Sequence, residues 1–114
     1  MWNSYGLIGY PLSHSASPAI MKRLFQQKGL VDVSYELFPL EEAGCLKTLI
    51  GEKPQLKGLN VTIPHKRAVI PTLDELSPEA RAIGAVNTIK IIRTSGQPKL
   101  KGFNTDAYGF EQLL

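Results

Sequence analysis

Lys66 and Asp106 are the two charged residues of this chain best suited to act as a reactive pair. A lysine ammonium can donate a proton to a carbonyl as it becomes an alcohol, and its amine can take that proton back. A carboxylate beside it would position both the ammonium and a substrate hydroxyl. Each residue also fits a plainer role, because most lysines face solvent and an aspartate is favourable in the first turn of a helix. His65 is a second acid/base candidate, with an ordinary pKa closer to neutrality. Its side chain should point away from that of its neighbour, which ranks it behind Lys66.

Hydroxyl and amide groups recur near these positions. Ser13-His14-Ser15-Ala16-Ser17-Pro18 places Ser15 and Ser17 at a helix N-terminus, where backbone N–H groups and the helix dipole favour an anion. Ser17 can accept a helix N–H as a plain cap and still donate its own proton to a carboxylate. In Leu59-Asn60-Val61-Thr62-Ile63 the alternation turns Leu59, Val61 and Ile63 one way and Asn60 and Thr62 the other. The polar side is either a solvent-facing surface or part of a site. His14 and His65 are too few and too separated for a zinc site, so no metal is expected.

The elements that would carry these groups alternate between strand and helix. Tyr5 to Gly9 reads as a first strand, and Ser17-Pro18 opens a helix with Ile20, Met21, Leu24 and Phe25 at helical spacing, ended by Gly29. Val33 to Phe38 reads as a second strand. A second helix is expected from about Leu40, with Ala43, Leu46, Leu49 and Ile50 inward, Cys45 on its buried side, and Gly51 as its stop. After the strand at Leu59–Ile63, Pro64 breaks the pattern. Two short helical pieces are predicted between Lys66 and Ile83, the second capped by Ser77-Pro78. Val86–Arg93 and Leu100–Asn104 read as strands joined by a hairpin-type connection, and a last helix begins near Asp106.

This order predicts an α/β fold: an open, mostly parallel sheet of about five or six strands, helices on both faces and one antiparallel strand. In such sheets ligands bind beyond the carboxyl ends of the strands. Ser15 and Ser17 follow the first strand, Lys66 the third and Asp106 the last. Asn87 begins its strand, but if that strand is the antiparallel one, its start lies at the same edge. The polar residues would then meet at one rim, around a pocket for a small hydroxylated acid.

Four segments together resemble the substrate-binding domain of the shikimate dehydrogenase family: His14-Ser15-Ala16-Ser17-Pro18, Asn60-Val61-Thr62-Ile63-Pro64-His65-Lys66, Gly84-Ala85-Val86-Asn87-Thr88 and Gly102-Phe103-Asn104-Thr105-Asp106. The resemblance covers nearly the whole chain. It implies reversible NADPH-dependent reduction of 3-dehydroshikimate to shikimate, a step of chorismate and aromatic amino-acid synthesis. It also implies that Ser15 and Ser17 hold the substrate carboxylate, that Thr62, Asn87 and Asp106 bind ring hydroxyls, and that Lys66 and Asp106 are the catalytic pair, with Asn60 in support. Met21 stands where family members often carry histidine, and the helical spacing makes it a packing residue. The family's second, NADP-binding domain has no counterpart here, since no G-x-G-x-x-G occurs. Residues 1–114 are therefore expected to be one substrate-binding domain, with NADP(H) bound mainly elsewhere and the isolated chain inactive. Two alternatives stay open: a quinate- or amino-analogue-specific relative, and a free-standing metabolite-binding module using the same pocket.

Composition bounds the other classes. The 114 residues suffice for one core, with 43% hydrophobic and 20% charged residues, as in ordinary globular proteins. A net charge of +3 without a basic stripe argues against nucleic acid. No apolar stretch approaches the roughly 20 residues of a membrane span, and Met1-Trp2-Asn3-Ser4 lacks the marks of a signal peptide. A single cysteine, Cys45, suits a reducing compartment, so the cytoplasm is the expected location. Oligomeric state is not legible, although an uncovered sheet edge would allow a homodimer.

Overall fold

The computed structural model describes residues 3–12, 17–94 (Ser17 by its backbone), 96–106 and 109–110. The alternating apolar segments become β1 (Asn3–Gly9), α1 (Ser17–Gln27), β2 (Val33–Pro39), α2 (Leu46–Glu52), β3 (Leu56–Val61), β4 (Glu75–Leu76), α3 (Pro78–Ile83), β5 (Thr88–Ile92) and β6 (Lys99–Phe103). Among the described residues the strands form one sheet in the order β2-β1-β3-β5-β6-β4. β1 runs parallel to β2 and β3, and β4 runs parallel to β6. β5 is antiparallel to both β3 and β6.

Both faces of the sheet are covered. On one, Ile8, Phe38, Leu56, Leu59, Val61, Ile89, Ile91 and Leu100 pack with Leu46, Leu49 and Ile50 of α2, and with Val69, Ala80 and Val86. On the other, Met21 and Phe25 of α1 pack with Phe110, Tyr5, Val33 and Tyr35. Met21 is thus a packing residue, as its spacing predicts, and is only 7% exposed.

Ser77 caps α3 by accepting the Ala80 N–H at 3.1 Å, and Gly84 closes that helix at φ +76°, a left-handed conformation that suits glycine. The two short helical pieces expected between Lys66 and Ile83 are a 3₁₀ turn at Ile70–Thr72 and α3.

Several expectations need correction. The second helix does not start near Leu40, because Pro39 still belongs to β2 and Glu42 is extended at φ −129°, ψ 137°. A 3₁₀ turn at Ala43–Cys45 leads into α2 instead, and Cys45, lying ahead of the helix's buried stripe, is exposed. Gly51 sits inside α2 rather than ending it. The exit is held by Arg93, whose guanidinium donates to the carbonyls of Ile50 (3.2 Å), Lys53 (2.8 Å) and Leu56 (3.1 Å). The Ile50 and Lys53 carbonyls already accept from the N–H groups of Lys53 (3.3 Å) and Leu56 (3.0 Å), so the cation adds a second bond to each at the negative end of the helix. β3 begins earlier than expected and ends at Val61, so Ile63 lies in the following turn and is 71% exposed. β4, two residues long, is too short to leave a periodic signal.

Candidate functional site

The direction of β5 decides where the polar residues meet. Because it runs against its neighbours, its first residue, Thr88, pairs with Asn60 near the end of β3 and with Phe103 at the end of β6. Asn87 therefore lies at the carboxyl edge of the parallel strands, as the hairpin reading requires. Its N–H donates to the Phe103 carbonyl at 3.0 Å, and its carbonyl accepts from Val61 N–H at 2.8 Å.

The Asn87 side chain is largely committed. Its Oδ1 accepts from the Thr105 N–H (3.1 Å) and the Thr88 hydroxyl (3.0 Å), while its Nδ2 donates to the Thr105 carbonyl (2.8 Å). It thus mimics a backbone ladder rung and ties the start of β5 to the segment that carries Asp106. One amide hydrogen is left for a ligand. Asn104 adds a parallel tie, Nδ2 to the Ala85 carbonyl at 3.0 Å.

Asp106 is exposed, and its Oδ1 accepts from the Gly109 N–H at 2.8 Å, so it caps the last helical turn. The plain structural role considered for it from sequence is real, and it leaves the second carboxylate oxygen for other work. A side chain at Gly109 would collide with Thr105 Oγ1, so glycine keeps this turn folded tightly against Thr105 and Asp106.

Lys66 lies in the turn after β3, where its carbonyl accepts from Val86 N–H at 2.7 Å and its side chain is exposed. Val86 and Asn87 therefore stand between the Lys66 loop and the Asp106 loop. Among the described residues, Lys66 and Asp106 form no ion pair with each other. His65 turns the other way: it is 2% exposed and its Nε2 donates to the Leu40 carbonyl. Since a carbonyl only accepts, that nitrogen carries the proton, and the ring is a structural link between the β3 and β2 exits.

Thr62 receives no side-chain partner among the described residues, and its N–H donates to the Ile8 carbonyl at 3.0 Å. Its methyl lies where a Cβ on Gly9 would stand, with the Ile63 carbonyl oxygen 3.0 Å from that same point. Glycine at position 9 is thus needed for β1 and the β3 exit to close together. Ser15 lies outside the described residues; Ser17 starts α1, and its side chain lies outside them too.

An open cleft of about 290 Å³ runs along the α1 side of this rim, lined by Met21, Asn60, Asn87, Thr88, Thr105 and Asp106 among others. Of the residues singled out from sequence, the cleft gathers Asn60, Asn87 and Asp106; Thr62 and Lys66 lie outside its lining. Thr88 and Thr105 were not anticipated, although both are embedded in the Asn-Thr and Asn-Thr-Asp segments that flagged their neighbours. Tyr35 was also missed. It reaches across β1 to donate its hydroxyl to Asn60 Oδ1 at 2.7 Å, and burial pushes its phenol pKa up. Among the described residues, no group of three or more His, Cys, Asp or Glu could hold a metal.

The exit of β1 at Gly9 does not fit a dinucleotide. Close approach of a pyrophosphate needs glycine-backed open space, but the space over Gly9 is filled by Thr62, Ile63 and Leu12. No described helix is long and apolar enough to cross a membrane.

Comparison with known proteins agrees with this architecture. The chain is 46% identical over 111 residues to the NADP(+) shikimate dehydrogenase of Geobacillus kaustophilus, covering 96% of this chain and 38% of that protein. It thus spans well under half the length of that relative. It superposes on the shikimate 5-dehydrogenase of Thermus thermophilus in complex with shikimate with a TM-score of 0.76 at 38% identity, covering 96% of this chain and 40% of the other. The ligand-free 5-ketofructose reductase of Gluconobacter gives 0.79 at 32% identity, with 96% and 38% covered. The family model of the shikimate dehydrogenase substrate binding domain matches residues 7–89. With its sheet order, its Asn87 junction and its cleft at the carboxyl edge, the chain belongs to the shikimate dehydrogenase substrate-binding domain family.

Proposed function

We propose that the full-length protein carrying this chain reduces 3-dehydroshikimate to shikimate with NADPH, and that this chain supplies the substrate half of its active site. The observation that carries this reading is the antiparallel β5, which sets Asn87 between the Lys66 and Asp106 loops at the mouth of a polar cleft in a chain of this family. When bound, the nicotinamide supplies hydride; the cofactor is held mainly outside this chain, whose β1 exit at Gly9 is filled by Thr62, Ile63 and Leu12.

The work assigned to this chain is binding and proton transfer. Ser15 and Ser17 take the substrate carboxylate at the start of α1. Thr62, whose hydroxyl has no partner among the described residues, and Asn87, through its remaining amide hydrogen, bind ring hydroxyls. Asp106 uses the oxygen not engaged by Gly109 to orient a ring hydroxyl and the Lys66 ammonium. Lys66 then protonates the ketone oxygen in reduction and recovers the proton in oxidation. That Lys66 and Asp106 are exposed and, among the described residues, form no ion pair with each other fits an open site whose pairing tightens around substrate. The isolated chain should bind shikimate weakly and reduce nothing. We place the whole protein in the cytoplasm, acting on a small-molecule substrate.

The likeness to a 5-ketofructose reductase favours a second reading, in which the same scaffold reduces another polyol ketone or oxidises its alcohol, quinate included. Steady-state kinetics of the full-length protein with shikimate, quinate and NADP(+) separates the two. A higher kcat/KM for shikimate supports the first; preference for quinate, or no turnover of either, contradicts it.

A further inference from the structure

Tyr35 and Asn60 belong to strands separated by β1, yet their side chains meet over it. The phenol stands behind the cleft and Asn60 lines it. We infer that Tyr35 is a positioning residue: by donating its hydroxyl proton to Asn60 Oδ1, it holds the Asn60 amide with Nδ2 facing the cleft, as a fixed donor to an acceptor oxygen of the substrate. This deepens, and rests on, the shikimate reading above.

The direction of that hydrogen bond follows from what each group can do. Tyr35 is largely withdrawn from solvent and Asn60 is its only partner among the described residues. A phenol has one hydrogen to place, and leaving it without an acceptor in such a setting is costly. Were the amide turned round, Nδ2 would face the phenol oxygen and the phenol hydrogen would have no acceptor. Oδ1 must therefore face Tyr35. Nδ2 then has no protein partner among the described residues, and it is not a buried orphan, since no side-chain nitrogen or oxygen in the described structure is. An unpartnered, accessible amide donor on the floor of a cleft is available to a ligand oxygen.

The floor around it carries little competition. Thr88, paired with Asn60 across the β3–β5 junction, directs its hydroxyl to Asn87. Met21 is apolar, and the Asn87 amide holds Thr105 with its Oδ1 and one hydrogen, keeping its second hydrogen for a separate ligand group. A ligand oxygen settling between Met21 and β3 thus finds Asn60 Nδ2 as a donor facing it. The geometry selects an oxygen that accepts there: a hydroxyl with its proton turned elsewhere, or a carboxylate.

The test is shikimate titration and steady-state kinetics on the full-length protein, comparing wild type, Tyr35→Phe and Asn60→Asp. Asn60→Asp keeps shape and the tie to Tyr35 but turns the cleft donor into an acceptor; KM and Kd for shikimate should rise by about tenfold or more. Tyr35→Phe keeps the ring and frees the amide to rotate; KM should rise about three- to tenfold with kcat nearly unchanged. Melting temperatures separate these shifts from a purely structural role. Wild-type KM in both variants, with only Tm lowered, overturns the inference and leaves the substrate reading standing. Failure of the wild type to bind shikimate overturns both.

Discussion

On one face of the sheet, Leu56, Leu59, Val61, Ile89 and Ile91 close against α2 and its neighbours as a continuous apolar layer; on the other, Asn60 and Thr88 stand beside Met21, and the cleft opens. The same strands supply both. In β3, Leu59 is wholly buried while Asn60, next to it, lines the cleft. A strand turns alternate residues to opposite faces, so one segment can hold the fold with one set and address a ligand with the other. The division has a consequence: changes on the α2 face should act on stability, and changes at the rim and on the α1 face should act on ligand and turnover.

The largest effect should come from the rim. In the full-length protein, Lys66→Ala should lower kcat by about 10²- to 10⁴-fold, the range for a lost general acid–base group, with KM little changed. A loss confined to KM would make Lys66 a binding residue instead. On the apolar face, Leu59→Ala should destabilise by about 2–5 kcal/mol in urea denaturation, because it leaves a cavity in a fully buried layer. If the same variant changed shikimate affinity as strongly as stability, the two faces would not be separable in the way described.

A smaller effect is expected at Gly9, where an added methyl meets the Thr62 side chain. Gly9→Ala should cost about 1–3 kcal/mol as overpacking, and it should also weaken shikimate binding through Thr62. Unlike Leu59→Ala, it sits on the boundary and should move both readouts. The smallest effect is a pH dependence from Tyr35. Its folded pKa lies above the ordinary value of 10.0 because burial disfavours the phenolate. The folded state therefore holds the proton more tightly than the unfolded state, and this group leaves stability flat below about pH 10 and lowers it as pH rises further. Tyr35→Phe should remove that part of the alkaline loss; an identical alkaline profile in the variant would show that other groups cause it.

Much of this was legible in the sequence, for reasons specific to each residue. Alternation in Leu59–Ile63 separates the two faces of β3, although Ile63 falls beyond the strand, where Pro64 has already turned the chain. The hairpin pattern at Val86–Asn104 gives the direction of β5 and hence the place of Asn87. Contacts across the sheet were less accessible. The Tyr35–Asn60 bond depends on the register of β2 and β3 on either side of β1, which no local pattern encodes. The Arg93 cap on α2 and the Asn87–Thr105 tie join residues far apart in sequence, and their side chains were readable only as types. Ser15 and the side chain of Ser17 lie outside the described residues, and their role at the carboxylate end was read from the family's motif.

On the proposed reading, the polar rim on the α1 side, and not the apolar face, receives a small hydroxylated acid. The most direct test is a shikimate titration followed by amide NMR. Saturable shifts at millimolar ligand are expected for Asn60, Thr62, Asn87, Thr88 and Thr105, with Leu46, Leu49 and Ile50 unmoved. Shifts confined to the α2 side, or none at all while the protein remains folded, would contradict it.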